Sequence, residues 1–232
     1  MIEVSKLEDF GHADHGWLNA RHHFSFAEYH NPERMHFGPL RVWNDDHIKS
    51  GQGFPMHPHA DMEIITYIRK GAITHEDSLG NKGRTVAGDV QVMSAGTGIV
   101  HSEYNLEEED TDLFQIWIFP DRKGHTPNWE ARTFPKEARE ASLAVLASGR
   151  DGHEDALPIN QDAALFGATL KAGQSVSHAL EEGRRAYLVP VRGEIEINGE
   201  RIPVRAGVAV TDEASITISA VEDGELVLLD LP

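Results

Sequence analysis

The chain of 232 residues contains no cysteine. That excludes disulfides, thiolate metal ligands and a cysteine nucleophile. Any metal must be held by nitrogen and oxygen. Positive charge is also scarce: 21 Lys+Arg stand against 38 Asp+Glu, a formal charge of −17. Such a balance repels phosphate backbones and anionic lipid surfaces, so direct nucleic-acid binding and membrane association are not expected. There is no run of about 18 apolar residues to span a bilayer. The opening MIEVSKLEDFGH lacks the basic and apolar regions of a secretory signal, and a cytoplasmic location is expected. What the chain does have is a hydrophobic content of 40%, enough for a sizeable globular core.

Helical periodicity is also missing, and so is any βαβ rhythm. Residues 1–50 are rich in His and aromatics, among them Trp17, His22, His23, Phe24, Phe26, Tyr29 and Trp43, and Pro32 and Pro39 break the segment. They are expected to pack over a barrel end, with His22, His23 and His36 the candidates to approach a cavity. Beyond them, short apolar or alternating runs recur between turn signals at 62–68, 71–74, 89–93 and 113–119. They resume at 143–146, 164–170, 186–191, 194–198, 207–210, 216–220 and 226–229. This spacing predicts an all-β protein of barrels or sandwiches. Residues 120–142, with Pro120, Pro127 and Pro135 and the charged run Lys136-Glu137-Ala138-Arg139-Glu140, read as a linker holding one helical turn. The expected division is therefore 1–122, a linker at 123–142, and 143–232. A weak internal repeat, with turns at Gly71 and Gly193 and Ala-Gly pairs at 87–88 and 206–207, suggests duplication.

Chemistry concentrates between Gly51 and Asn105. His57-Pro58-His59 and His101-Ser102-Glu103 both lie in strand contexts. Strand side chains alternate between faces, so each pair projects to one side, which on a helix it would not. Two such strands facing one barrel interior would aim three imidazoles and a carboxylate at one point. Imidazole with one carboxylate suits Fe(II), Mn, Ni, Co, Zn or Cu, while Ca and Mg prefer an all-oxygen shell.

Gly51, five residues, His57-x-His59, three residues and Glu63 resemble the first cupin motif, with Gly71 one position beyond the usual closing glycine. Gly88, Gly96, His101 and Asn105 resemble the second, with Ser94 in place of the usual proline. The segments GWLNARHHFSFAEYHNP, HPHADMEIITY, HEDSLGNKG, SAGTGIVHSEYN and FQIWIFP resemble the pirin family, most nearly its bacterial quercetin 2,3-dioxygenase branch. The resemblance implies a bicupin of two jelly-roll barrels with duplicated topology, of which only the first binds a metal. It implies His57, His59, His101 and Glu103 as ligands of one divalent ion, Fe(II) by preference, with Glu103 also the catalytic base. Glu63, which many other cupins use as a ligand and which strand parity puts on the face of His57 and His59, is expected instead to be a supporting or packing carboxylate. His75 and Gln115 are expected to orient ligands or satisfy turns. His178 alone builds no site in the second half. The implied activity is opening of a flavonol heterocycle by O₂ with release of carbon monoxide, in a monomer. The alternative is a metal-dependent or redox-dependent regulator that binds a protein partner; a third, weaker reading is another cupin chemistry such as isomerisation.

Overall fold

The computed structural model describes residues 1–134 and 139–232. The helical turn expected near Lys136-Glu137-Ala138 lies outside the described residues. The strands, in chain order, are β1 (Ile2–Ser5), β2 (Gly11–Asp14), β3 (Leu18–His22), β4 (Leu40–Ile48), β5 (Gly53–His59), β6 (Glu63–Lys70), β7 (Ala72–Asp77), β8 (Lys82–Val86), β9 (Val90–Ser94), β10 (Ile99–Tyr104), β11 (Thr111–Ile118) and β12 (Asn128–Arg132). They continue as β13 (Ala144–Ser148), β14 (Leu157–Pro158), β15 (Ala164–Leu170), β16 (Ser175–Ala179), β17 (Arg185–Arg192), β18 (Ile195–Ile197), β19 (Glu200–Ile202), β20 (Gly207–Thr211), β21 (Ser215–Ala220) and β22 (Gly224–Leu231). No helix among the described residues is long and apolar enough to cross a membrane.

The chain forms two compact units. One comprises residues 11–134 with 157–161; the other comprises 1–10, 135–156 and 162–232. This differs from a division at 122 and 143. Met1–Phe10 belongs with the second barrel because β1 pairs with β20, from Ile2 opposite Val210 to Ser5 opposite Gly207. Residues 128–132, expected in the linker, form the edge strand β12 beside β9, where Trp129 lies opposite Met93. The first fifty residues also carry more structure than their loop-like composition suggests, since β2, β3 and β4 extend the larger sheet.

The first barrel has a sheet in the order β12-β9-β6-β11-β4-β3-β2 and a smaller one in the order β5-β10-β7-β8. In the second unit β20-β17-β22-β15 repeats the order β9-β6-β11-β4, and β16-β21-β18-β19 repeats β5-β10-β7-β8. The duplicated topology of a bicupin is therefore present in full. The expected repeat turns occupy equivalent places: Gly71 joins β6 to β7 and Gly193 joins β17 to β18, at φ of 75° and 77°, a conformation that favours glycine.

The interior of the larger sheet of the first barrel is layered by register. At one level Ile64 and Met93 pack with Ala95 and Ile99; at another, Ile68 and Leu113 pack with Leu18, Ala20, Ile48 and Ile73. Between them runs a row of polar partners across five strands. His22 is opposite Asn44, Asn44 opposite Gln115, Gln115 opposite Thr66, and Thr66 opposite Gln91. A polar row inside a barrel is costly unless its groups are partnered, and its partner comes from β10.

Candidate metal centre

β10 lies between β5 and β7, so its inward side chains meet residues from both neighbours. His101 is opposite His57 on one side and Asp77 on the other, while Glu103 is opposite His75. A bulge against β5 between His101 and Glu103 shifts the register there. One nitrogen from each of His57, His59 and His101 lies within 4.8 Å of the others.

The hydrogen bonds fix the tautomers and with them the direction of each lone pair. Asp77 Oδ2 can only accept, so His75 donates to it from Nε2 at 3.0 Å and presents Nδ1 as an acceptor. His101 Nδ1 lies 3.3 Å from that atom and donates to it, leaving the Nε2 lone pair of His101 free. His57 donates from Nδ1 to the Pro55 carbonyl at 2.7 Å, which frees its Nε2 as well. The two freed Nε2 atoms face each other at 3.1 Å. Nε2 of His59 is buried with no partner among the described residues. Lone pairs converging without a donor between them are what a cation satisfies, so the three imidazoles fit one metal ion.

Charge reinforces this. Burial, and then the neighbouring His57, His59 and His75, push His101 down from 6.5 to about 2. Burial and His57 push His59 to about 4. Both rings are thus neutral, the form that ligates, at physiological pH. His75 is itself fully buried, and Trp129 stacks on it with ring centroids 4.7 Å apart and planes 7° from parallel. Gly83, opposite His75 on β8, makes room for that indole: a Cβ there would lie 2.2 Å from its ring. Trp129, in the segment taken as linker, is a supporting residue that no local sequence signal marked.

Glu103 lines the same cavity but lies outside the group of three. Its carboxylate accepts bonds from Gln91 and Gln115 at 2.6 Å each and from Thr66 at 3.2 Å. The polar row of the larger sheet therefore closes on a carboxylate delivered by the smaller one. Burial lifts Glu103 from 4.5 to about 7 against the opposing pull of these three donors. Gln115 thus touches Glu103.

Glu63 is elsewhere. It accepts bonds from Ser94 Oγ at 2.6 Å, the Asn160 backbone N–H at 3.1 Å and Asn160 Nδ2 at 3.1 Å. Strand parity does not carry from His57 and His59 to Glu63, for a physical reason. The run ends at His59, Asp61 takes a left-handed φ of 50°, and β6 belongs to the other sheet.

The cavity in front of the imidazoles measures about 190 Å³. Its walls are mostly apolar, with Leu18, Ala20, Phe26, Phe54, Ile64 and Trp117 contributing, together with His22, Asn44 and Asp46. Phe26 reaches it from the loop after β3 and meets Trp117 edge-on at 5.4 Å, while Trp117 meets His59 edge-on at 4.9 Å. Of the histidines expected near the cavity, His22 lines it and His23 and His36 do not. Phe54 and Ile64 line it, whereas Met62 packs with the Ile64 cluster. The acidic run Glu107–Asp110 is a paired turn: Arg84 donates twice to Glu107, and Asp110 accepts from the Ser50 N–H.

Comparison with known proteins agrees with this architecture. The family model described as pirin matches residues 3–118, and that described as quercetinase C-terminal cupin domain matches 145–231. A Pseudomonas aeruginosa protein provisionally named a quercetin 2,3-dioxygenase is 62% identical over 231 residues, all of both chains. The quercetin 2,3-dioxygenase of Escherichia coli K12 is 47% identical over 234 residues, 100% of this chain and 99% of that protein. A crystal structure of the Escherichia coli bacterial pirin YhhW in complex with nickel(II) superposes with a TM-score of 0.94 at 44% identity, covering 100% of this chain and 99% of that one. The chain, a bicupin with a three-histidine centre in its first barrel, belongs to the pirin family.

Proposed function

We propose that the protein is a metal-dependent dioxygenase that opens the heterocycle of a flavonol such as quercetin with O₂ and releases carbon monoxide. The observation that carries this reading is the convergence of three imidazole nitrogens at the end of a mostly apolar cavity that also exposes a buried carboxylate. Names borne by the relatives support the substrate class. His57, His59 and His101 would hold the ion, Fe(II) by preference, with Ni, Co, Mn, Zn or Cu as alternatives. Glu103 would join as fourth ligand, giving up one of its present donors.

When bound, the metal supplies Lewis acidity and open positions for a substrate oxygen and O₂. The residues of the chain do the rest. Glu103 accepts the proton of the substrate 3-hydroxyl, and the donors it keeps among Gln91, Gln115 and Thr66 hold its carboxylate in place for that transfer. Phe54, Ile64 and Trp117 surround a flat ring system and exclude water from it. The test is aerobic incubation of metal-reconstituted protein with quercetin, following loss of flavonol absorbance and release of carbon monoxide. Glu103→Gln should lower turnover by about 10²-fold or more, as loss of a general base does. Turnover no greater than that of His57→Ala or His59→Ala would refute the reading and leave the regulator.

A further inference from the structure

Four buried polar atoms with no partner among the described residues belong to residues lining this cavity: His59 Nε2, Trp117 Nε1, Gln115 Oε1 and Asp46 Oδ1. The metal accounts for the first. Two oxygens remain. That of Gln115 is fixed by its amide hydrogen bond to Glu103. Asp46, whose carboxyl is pushed well above the usual range by burial, Asp45 and Glu103, is placed by its strand register and still offers a carbonyl oxygen as acceptor. Gln115 gives its amide N–H to Glu103, so its oxygen has to point the other way; the amide orientation follows from a carboxylate that only accepts. Asp46 stands on β4 in a register row with Ala20 on β3 and Leu113 on β11, and Leu113 is in turn opposite Ile68. An otherwise apolar layer thus contains one carboxyl group, 2% exposed. Its chain neighbour Asp45 points to the other face and pairs with Arg69, so Asp46 receives no such cation.

A valine or leucine at this position would continue the row and remove a desolvated acid, so packing gives no reason for Asp46. Retaining a buried acceptor that the fold leaves unsatisfied makes sense where a ligand brings the donor. We infer that Asp46, together with Gln115 Oε1, forms a recognition pair for hydroxyl groups on an aromatic substrate, selecting polyhydroxylated rings over bare ones. The inference rests on the flavonol reading above and refines it. In the resting cavity water can serve both acceptors; a phenolic hydroxyl replaces that water with a donor held by the ring. Apolar walls alone would bind hydroxylated and unhydroxylated rings nearly alike, whereas buried acceptors left empty penalise the bare ring. The cavity volume of about 190 Å³ falls below the roughly 300–1,000 Å³ of common ligand pockets. A tricyclic substrate is therefore only partly enclosed, and Asp46 and Gln115 are among the residues that line the space it enters.

The test is equilibrium binding to metal-loaded protein under anaerobic conditions, where no turnover occurs, followed by quenching of tryptophan fluorescence. Two probes are compared: quercetin, and 3-hydroxyflavone, which keeps the flavonol core without the other hydroxyls. Asp46→Leu should weaken quercetin by about tenfold or more and change 3-hydroxyflavone less than about twofold, removing the preference between them. Asp46→Asn, which keeps one acceptor oxygen, should fall in between. Both variants should keep their metal, and Asp46→Leu should melt no lower than the parent, since it deletes an unpaired acid. Equal weakening of the two probes, no weakening of either, or failure of the parent to bind quercetin would overturn the inference. Binding that depends on Asp46 without release of carbon monoxide would uphold it and overturn the dioxygenase reading alone.

Discussion

Replacing Glu63 by alanine separates the two carboxylates that compete for the role of metal ligand. The side chain is 1% exposed and accepts three hydrogen bonds, one from Ser94 and two from Asn160. It fastens residues 157–161 onto β6 and β9 within the first unit. Hydrogen bonds to a charged acceptor are each worth about 1.5–3 kcal/mol, and the buried donors left behind lose further free energy. Ser94 Oγ and Asn160 Nδ2 already lie 3.2 Å apart and can satisfy each other, which recovers part of the loss. The net cost of Glu63→Ala should therefore be about 3–5 kcal/mol, as for removal of one partner from a buried charged network. At about 2–4 °C per kcal/mol for a domain of this size, the melting temperature should fall by about 10 °C. Metal content by elemental analysis should stay at that of the parent, because no bond of Glu63 reaches the imidazoles. Glu63→Gln, which keeps the shape and one acceptor, should lose less than half as much stability. A variant that melts normally but has lost its metal would refute this account and make Glu63 a ligand.

Two further outcomes follow from the same geometry. His75→Ala removes the acceptor that fixes the His101 tautomer, so metal affinity should fall about 10–100-fold in a chelator competition; an unchanged affinity would mean that His101 is oriented by its strand alone. In the metal-free protein His59 and His101 have folded-state values of about 4 and about 2, below 6.5, so the unfolded chain binds more protons and stability is lost as pH falls from 6.5 through those values. Glu103, raised from 4.5 to about 7, works in the opposite direction, its contribution being lost as pH rises from 4.5 through 7, so it offsets one histidine between 4.5 and 6.5. Asp46, raised well above the usual carboxyl range by burial and by Asp45 and Glu103, works in the same direction as Glu103. Urea titrations of the metal-free protein should therefore be shallow above about pH 4.5 and fall below it, where Glu103 and then Asp46 cease to compensate; a stability flat from about pH 4.5 to 3 would contradict the burial of the imidazoles.

What could be read in advance depended on whether the signal was local to one strand. The pairs His57 and His59, and His101 and Glu103, each lie within a single strand, where alternation alone puts both side chains on one face. Glu63 shows where that reasoning stops, because one left-handed residue, Asp61, separates it from His59 and moves the chain to another sheet. The sequence around Asn44-Asp45-Asp46 has turn-like composition, yet it lies in the middle of the nine-residue β4, and all three side chains are buried. Its polar residues face inward to the cavity or outward to Arg69, so the usual hydrophobic alternation is absent. The row from His22 to Gln91 is assembled from five strands, and only a known register could have shown it.

The second barrel supplies the comparison that explains why the first holds the chemistry. Its β16 and β21 repeat the topological places of β5 and β10, and the cross-strand pairs there are Val176 opposite Ile218 and His178 opposite Ile216. Val176, Ile216 and Ile218 join an apolar cluster that fills the interior together with Phe166, Leu188 and Leu228. The remaining imidazole is committed: His178 Nε2 lies 2.8 Å from Asp230, which also accepts bonds from Arg184 at 2.6 Å and Arg150 at 3.1 Å. The buried charges around Asp230 satisfy one another, and the space between the sheets is filled by apolar side chains, so this barrel gains its stability from apolar burial and ion pairs without a guest. In the first barrel the same strand framework instead leaves imidazole lone pairs and the acceptors of Asp46 and Gln115 without donors. One copy of the fold fills the place of the site with apolar side chains, and the other keeps it open to a metal and a ligand.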